Sequence, residues 1–142
     1  MVKFVVTADV LPLRNIVLRD NKGIEFCHFD GDNDPATFHL AKEKDGIIYS
    51  VASFHDVNHP EINGKGWQLR GMATLPEFQG KGAGKAIVKF AAEHLKELNV
   101  DYIWCNARKN ALPFYLSCGF EIISQEFQIE GIGPHYQMRL KI

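Results

Sequence analysis

Three glycines spaced two apart alternate with small or basic residues in this chain, at Gly80, Gly82 and Gly84, beside Lys81 and Lys85. Small residues let backbone N–H groups approach a ligand closely, and the first N–H groups of a helix have no internal acceptor. The helix dipole adds partial positive charge at the same end. Because a predicted strand precedes this segment and a predicted helix follows it, we predict a diphosphate-binding loop here.

The spacing of these residues excludes two common phosphate-binding motifs. The pattern GxxxxGK[ST] needs a hydroxyl residue after the lysine, but Ala86 follows Lys85. The pattern GxGxxG also fails, because Ile87 occupies its third glycine position when the pattern is counted from Gly82. An ordinary glycine-rich turn is the alternative interpretation. Glycine costs a helix about 1 kcal/mol relative to alanine, so glycines in a first turn favour a ligand-binding role.

Two segments resemble signatures of the GNAT superfamily of N-acetyltransferases. Residues 79–84, QGKGAG, resemble its Q/R-x-x-G-x-G/A signature, and residues 72–76, MATLP, resemble the strand that holds the pantetheine arm. Residues 111–120, ALPFYLSCGF, resemble the A-x-x-x-Y-x-x-x-G-F helix of the family. These segments occur in the family's order and at its distance, and the match covers roughly residues 37–142.

The N-terminal part and the tail add a further similarity to a bacterial subgroup that contains the ElaA and YjcF proteins. The segments concerned are residues 13–18, the acidic segment 30–34, the pair His39-Leu40, and residues 133–138. The first helix region differs from the subgroup, because residues 18–21 lack its glutamate–glutamine pair.

The resemblance implies that acetyl-CoA is the acetyl donor, that a primary amine is the acceptor, and that no metal takes part. Backbone N–H groups near the end of the preceding strand are expected to stabilise charge on the thioester oxygen. Exposed lysines in the loop are often only solvated, which is the alternative to a charge contact with the cofactor. The implied cofactor-binding residues are Met72, Ala73, Thr74, Gln79, Gly80, Lys81, Gly82, Ala83, Gly84, Lys85, Arg108, Asn110 and Tyr115.

Tyr115 matches the tyrosine of the family helix and is therefore the expected general acid. The CoA sulfur that leaves in the reaction needs a proton or a hydrogen-bond donor, and a phenol supplies either. The alternative is a core aromatic side chain beside Phe114, which helical spacing also permits.

The general base is less defined by sequence. Some relatives carry a glutamate on the fourth strand, but residues 67–72 contain no carboxylate. The candidates are His39, His55, His135 and Glu126, and a water relay is a further alternative. His135 is the preferred catalytic candidate, because the last strand usually borders the acceptor groove in this family.

Two residues near the family helix have double interpretations. Arg108 occupies a position at which many relatives carry a cofactor-binding asparagine. It is expected either to meet cofactor phosphates or to be a solvated arginine at the helix edge. Asn110 either contacts the cofactor or caps the helix.

The composition is that of a globular protein. Of its 142 residues 46% are apolar, the formal net charge is -1, and no apolar run approaches the roughly 18 residues of a membrane span. We therefore expect no nucleic-acid partner and no membrane association. Three cysteines without metal-binding spacing, and a start without a signal-peptide layout, indicate a reduced cytoplasmic setting. Cys105 and Cys118 are expected to be structural rather than nucleophilic.

Hydrophobic periodicity predicts an α/β (or α+β) fold with residues 1–142 as one domain. The resemblance implies that this is an N-acetyltransferase domain. We expect a mixed, mostly antiparallel sheet of six to seven strands, flanked by helices, with a central parallel pair at 67–75 and 100–107. The other predicted strands are 3–7, 37–42, 47–54, 120–129 and 135–142. The predicted helices are one that starts near Thr7 or Asp9 with Pro12 in its first turn, then 82–98 and 110–118.

The acidic segment with Asp30, Asp32 and Asp34 does not fit a calcium-binding loop, because the required glycine and distal glutamate are misplaced. We interpret it as a solvated turn, with attraction of a cationic amine as the alternative.

A non-catalytic CoA or acetyl-CoA sensor on the same fold is the second functional hypothesis. A tryptophan or another long side chain that fills the acceptor groove would favour the sensor. The resemblance also makes a homodimer possible.

Overall fold

The computed structural model describes residues 1–142, which form one eight-stranded sheet with three α-helices. The strands are β1 Val2–Val5, β2 Phe38–Lys44, β3 Ile47–His55, β4 Gly66–Thr74, β5 Tyr102–Arg108, β6 Glu121–Ile122, β7 Phe127–Ile129 and β8 Gly133–Lys141. Their order in the sheet is β1-β2-β3-β4-β5-β8-β6, and β7 also pairs with β8. The helices are α1 Thr7–Leu18, α2 Ala83–Glu97 and α3 Leu112–Ser117, with 3₁₀ turns at Ile24–Phe26, Pro76–Phe78 and Lys109–Ala111.

The predicted parallel pair is confirmed as β4 and β5, but it is short. The two strands pair only where Gly66, Trp67 and Gln68 meet Tyr102, Ile103 and Trp104. Beyond Gln68 the edge of β4 that faces β5 has no strand partner. A gap therefore separates the carboxyl ends of the two central strands.

A β-bulge in β4 accompanies this separation. Arg70 lies opposite Ser53 and Ala73 lies opposite Val51, so β4 has one more residue than β3 between these pairs. Gly71 adopts φ +67° in the bulge, a left-handed conformation that strongly favours glycine. A bulge bends the strand, and here it lies where β4 leaves β5.

Helix α2 packs on one face of the sheet through its apolar stripe. Ile87, Val88, Ala91 and Leu95 are buried in the main core with residues of the central strands. The three larger side chains, Ile87, Val88 and Leu95, each stabilise the fold by about 1.5–3 kcal/mol when they leave water. Asn99 follows the helix in a left-handed conformation, which is typical of the residue that ends a helix.

Helix α1 packs on the other face, over β2, β3 and β4. Its buried Val10 and Leu13 contact Ala41, Val51 and Ala73. The helix begins at Thr7, one of the two predicted starts, but Pro12 lies inside it rather than in its first turn. Asp9 accepts a hydrogen bond from the Val6 N–H, which satisfies one free donor at the helix start.

The predicted strand 120–129 is divided into β6 and β7. Between them the Ser124 hydroxyl accepts the Gln137 N–H at 2.8 Å, so a side chain takes the place of a backbone partner. This division gives eight strands where six to seven were predicted, while the predicted fold class is confirmed.

None of the three α-helices is both long and apolar enough to cross a membrane.

Candidate active site

The loop before α2 presents a row of free backbone donors. No N–H group from Gly80 to Lys85 donates within the chain, and the first helical bond runs from the Ala86 N–H to the Gly82 carbonyl at 3.0 Å. Gly80 and Gly82 have φ values of +76° and +83°. A Cβ atom at either glycine would meet nothing within 4 Å, so the loop opens to free space. These features fit an anionic diphosphate.

Side chains around this loop add positive charge and anchor the loop. The Gln79 amide donates to the Thr74 carbonyl at 3.0 Å, which joins the loop to the end of β4. Lys81 and Lys85 are exposed, and neither forms an ion pair within the chain. A cavity of about 190 Å³ beside the loop is lined by Lys42, Lys44, Tyr49, Phe78, Lys81 and Ala83.

Met72, Ala73 and Thr74 form the end of β4 at the gap. Ala73 is buried under α1, and the Thr74 hydroxyl lies 2.8 Å from that of Ser50. Met72 is partly buried, and its sulfur lies on the side of α2. One edge of this segment has no strand partner, so its backbone polar groups border the gap.

Tyr115 lies deep in the core near the gap. Only 6% of the residue is exposed, and its ring packs edge-on against Phe114 and Phe120. Burial raises the pKa of its phenol well above the usual value, which keeps the hydroxyl protonated. The hydroxyl makes no hydrogen bond in the chain, yet it is not one of the fully enclosed polar atoms. Tyr115 is thus a core aromatic whose free donor reaches the surface.

His135 lies on β8 directly opposite Arg108 of β5. Its Nδ1 atom lies 2.8 Å from the Gly133 carbonyl, which can only accept, so Nδ1 carries the hydrogen. The Nε2 atom of the neutral ring is therefore the proton acceptor. Although the residue is only 4% exposed, Nε2 has no partner in the chain and is not fully enclosed. The geometry of His135 suits a general base.

The other histidine candidates lie inside the protein. His39 contacts Ser53, Thr7 and the Asp32 carbonyl, and it is 3% exposed. Burial lowers the pKa of His55 to about 4, so its 3.5 Å contact with Asp32 is not an ion pair at neutral pH. Neither ring is placed to take a proton from a substrate.

Glu126 is also a poor base. It forms a 2.9 Å ion pair with Lys109 and accepts a hydrogen bond from Tyr136. The Lys109 hydrogen bond is the main cause of its lowered pKa. A carboxylate with a lowered pKa has little affinity for the proton of an amine.

A buried ion pair holds the acidic segment against α1. Arg14 donates to both carboxylate oxygens of Asp32, at 2.7 and 3.0 Å, and Asp32 also accepts the Phe29 N–H. Burial alone would raise the Asp32 pKa, but these hydrogen bonds lower it below the usual value. The prediction of a solvated turn is therefore wrong for Asp32, which is 4% exposed. The sequence signal was a charged residue, Arg14, on the buried face of a helix.

For Arg108 and for Asn110, the structure excludes one of the two predicted roles. Arg108 is half-buried and its guanidinium lies 3.4 Å from the Leu18 carbonyl, at the C-terminus of α1. It is therefore not a solvated arginine at a helix edge. Asn110 lies in the 3₁₀ turn, and the N-cap of α3 is Ala111 without a side-chain bond. The capping interpretation of Asn110 is wrong, and cofactor contact by either residue stays a prediction.

Part of the sheet face that carries Arg108 is uncovered, and we call this part the open groove. Asn106 is exposed there, at a point where β5 pairs with β8 but no longer with β4. The two tryptophans do not fill the groove. Trp104 donates to the Val57 carbonyl at 2.8 Å, and Trp67 lies in the core on the opposite face.

The cysteines lie outside this arrangement. Cys27 and Cys105 are buried, Cys118 is half-buried, and none forms a disulfide. Burial raises the pKa of the Cys105 thiol, which makes it a poor nucleophile. The structural interpretation of Cys105 agrees with this placement.

Comparison with known proteins gives consistent matches. The family model described as an acetyltransferase (GNAT) domain matches residues 27–142. The chain is 35% identical over 138 residues to the uncharacterized N-acetyltransferase YitI of Bacillus subtilis (strain 168), covering 96% of this chain and 93% of YitI.

Solved structures share the fold at low identity. Escherichia coli ElaA superposes with a TM-score of 0.76 at 14% identity, over 98% of this chain and 99% of ElaA. An aminoglycoside 6'-N-acetyltransferase complexed with coenzyme A gives a TM-score of 0.75 at 10% identity, over 99% of this chain and 96% of that chain. At these identities the likeness establishes the fold alone.

Proposed function

The chain belongs to the acetyltransferase (GNAT) family, and we propose that it transfers an acetyl group from acetyl-CoA to a primary amine by direct attack. The observation that carries this proposal is the row of unpartnered N–H groups from Gly80 to Lys85. They face open space beside the gap between β4 and β5. Backbone donors at a helix start, next to a slot in the sheet, suit a diphosphate that continues into an extended arm.

The loop residues would hold the diphosphate through their N–H groups, with Lys81 and Lys85 adding charge. The free edge of β4 near Met72 would bind the extended arm and place an N–H group at the thioester oxygen. Acetyl-CoA supplies the acetyl group in a thioester, which is activated toward amines. The two proton transfers of the reaction fall to side chains of the protein.

His135 would take one proton from the attacking amine through Nε2, directly or through a water molecule. Tyr115 would give one proton, or a strong hydrogen bond, to the leaving sulfur. One C–N bond forms and one C–S bond breaks, so the products are an amide and free CoA thiol. Proton exchange with solvent then returns His135 to its neutral form and Tyr115 to its protonated form.

We further propose that residues 1–142 act as one catalytic domain in a reducing, cytoplasmic environment. The three unpaired cysteines support the reducing environment. A homodimer stays a prediction from the family resemblance.

A two-stage experiment tests the proposal. Excess acetyl-CoA should raise the melting temperature by mass action, and a panel of amines should then release free thiol. Stabilisation without thiol release for any amine would instead support the sensor hypothesis. The exposed Asn106 in the groove favours the enzyme, because an acceptor has space to bind.

A further inference from the structure

Three arginines meet at one end of the open groove, and we call Arg19, Arg70 and Arg108 the arginine cluster. Arg19 and Arg108 both donate to the Leu18 carbonyl, at 3.2 and 3.4 Å. Arg19 and Arg70 both lie over the ring of Phe29, at 5.7 and 4.3 Å from its centroid. Arg19 therefore links the other two, and three like charges share a small volume.

No carboxylate of the chain forms an ion pair with this cluster. Asp32 is nearby, but Arg14 takes both of its oxygens. Asp20 and Asp30 are exposed, and neither makes a hydrogen bond to the cluster. The cationic charge at this site is thus without a paired anion inside the protein.

Two members of the cluster are short of hydrogen-bond acceptors, whereas Arg19 donates to the Leu18 and Phe26 carbonyls. Arg70 is half-buried, yet its guanidinium makes no hydrogen bond in the chain and is not fully enclosed. Arg108 makes only one bond, at 3.4 Å. Burial is the main cause of a lowered pKa in both arginines, and the nearby carboxylates of Asp32, Asp30 and Asp20 offset it only in part. Guanidinium groups in this condition are suited to bind an oxyanion.

The position of the cluster connects it to the acceptor. Arg108 lies opposite His135 in the β5–β8 pair, and Arg70 lies two residues before Met72 on β4. Asn106 is exposed on the same face of β5 as Arg108. An amine close to His135 Nε2 would therefore have its neighbouring substituents near the arginines.

We propose that the acceptor carries an oxyanion, a carboxylate or a phosphate, in addition to its amine, and that the arginine cluster binds it. This inference rests on the proposed function, because it names the acceptor of the same reaction. It replaces the earlier alternative in which an acidic segment attracts a purely cationic amine.

Matched pairs of acceptors test the inference and separate the two oxyanions. For the carboxylate, amino acids are compared with their amides, and for the phosphate, amino alcohols are compared with their phosphate esters. We expect kcat/KM for the anionic member of at least one pair type to be tenfold or more above that of its neutral partner. Equal values in both pair types, or a preference for the neutral members, would overturn the inference. Thiol release with neutral amines alone would leave the proposed function intact.

Variants assign the preference to the cluster. Arg70→Gln and Arg19→Gln should each raise KM for the anionic acceptor and reduce the preference at least fivefold. Arg139→Gln is the matched control, because Arg139 is an arginine on the same sheet face that Glu121 already neutralises. A preference that persists in the Arg19→Gln/Arg70→Gln double variant would refute the role of these arginines.

A binding measurement keeps the test independent of turnover. The melting temperature of the CoA-saturated protein is measured with each member of the matched pairs. The anionic amines should stabilise the complex more than their neutral partners, and Arg70→Gln should remove this difference. If neither member of any pair stabilises the complex more than the other, the inference fails even when the protein is inactive with the whole panel.

Discussion

The ring of Phe114 lies so close to Gly84 that a Cβ atom on residue 84 would be 2.9 Å from two ring carbons. The Met72 sulfur would be 3.3 Å from the same atom. The end of β4, the first turn of α2 and the start of α3 therefore meet at one point. Gly84 is needed there for close packing, which is a reason for a glycine in this helical turn in addition to its free N–H group.

Gly84→Ala should destabilise the fold by about 1–3 kcal/mol, because the added methyl group must displace a ring packed between two elements. Chemical denaturation measures this free energy. In the double variant Gly84→Ala/Phe114→Leu the smaller side chain should recover part of the loss, seen as a favourable coupling energy. Strict additivity of the two single changes would contradict the proposed clash.

Tyr115→Phe should lower kcat about a hundredfold, because the leaving sulfur loses its donor. Stability should change little, since the hydroxyl has no partner in the chain to lose. The stabilisation by CoA should persist, which separates chemistry from binding. Tyr136→Phe is the control, because it removes a phenol that bonds Glu126 outside the core. A wild-type kcat in Tyr115→Phe would exclude the general-acid role.

His135→Gln should lower kcat about a hundredfold near neutral pH, because Nε2 no longer accepts the amine proton. The remaining rate should rise with pH, since the amine must then lose its proton to water. His28→Gln is a suitable control, because His28 is exposed. An unchanged kcat and pH profile in His135→Gln would point to a water relay.

The stability of the protein should fall as pH drops from about 6.5 to about 4. The folded-state pKa of His55 is lowered to about 4 by burial, whereas the unfolded chain binds the proton near 6.5. The unfolded state therefore holds more protons in this window, and stability increases with pH through it. His55 alone should contribute a loss of about 2 kcal/mol between pH 7 and pH 5.

Urea unfolding at the two pH values measures this difference. His39 has a pKa lowered by burial as well, so it acts in the same direction. In His55→Gln the pH-dependent difference should shrink, whatever the absolute stability of the variant. An unchanged difference would show that His55 titrates normally in the folded protein.

Local sequence patterns predicted the parts of the site that are contiguous in the chain. The loop at Gly80 to Lys85 depends on neighbouring residues, so their types and spacing carry the information. The parallel β4–β5 pair followed from one helix between two strands. The position of His135, the proposed base, beside Arg108 did not follow from spacing, because it depends on which strand lies beside β5.

The buried ion pair of Arg14 and Asp32 could not be predicted from local patterns. Arg14 and Asp32 are 18 residues apart, and Arg14 and Ser53 are 39 apart. No short stretch of the sequence shows that the segment with Asp32 folds back against α1 and neutralises Arg14. The arginine cluster is similarly non-local, since Arg108 meets Leu18 across 90 positions of sequence.

The short contact between β4 and β5 also affects how the protein moves. Only three residue pairs join the two halves of the sheet at this seam, fewer than in the pairs β1–β2, β2–β3, β3–β4 and β5–β8. Transient opening of the seam would let backbone amides of the central strands exchange with solvent while both outer halves stay folded. A molecule bound in the gap would hold the seam closed. Bound acetyl-CoA would thus hold β4 and β5 together, and hydrogen exchange of the β4 backbone amides would slow when it binds.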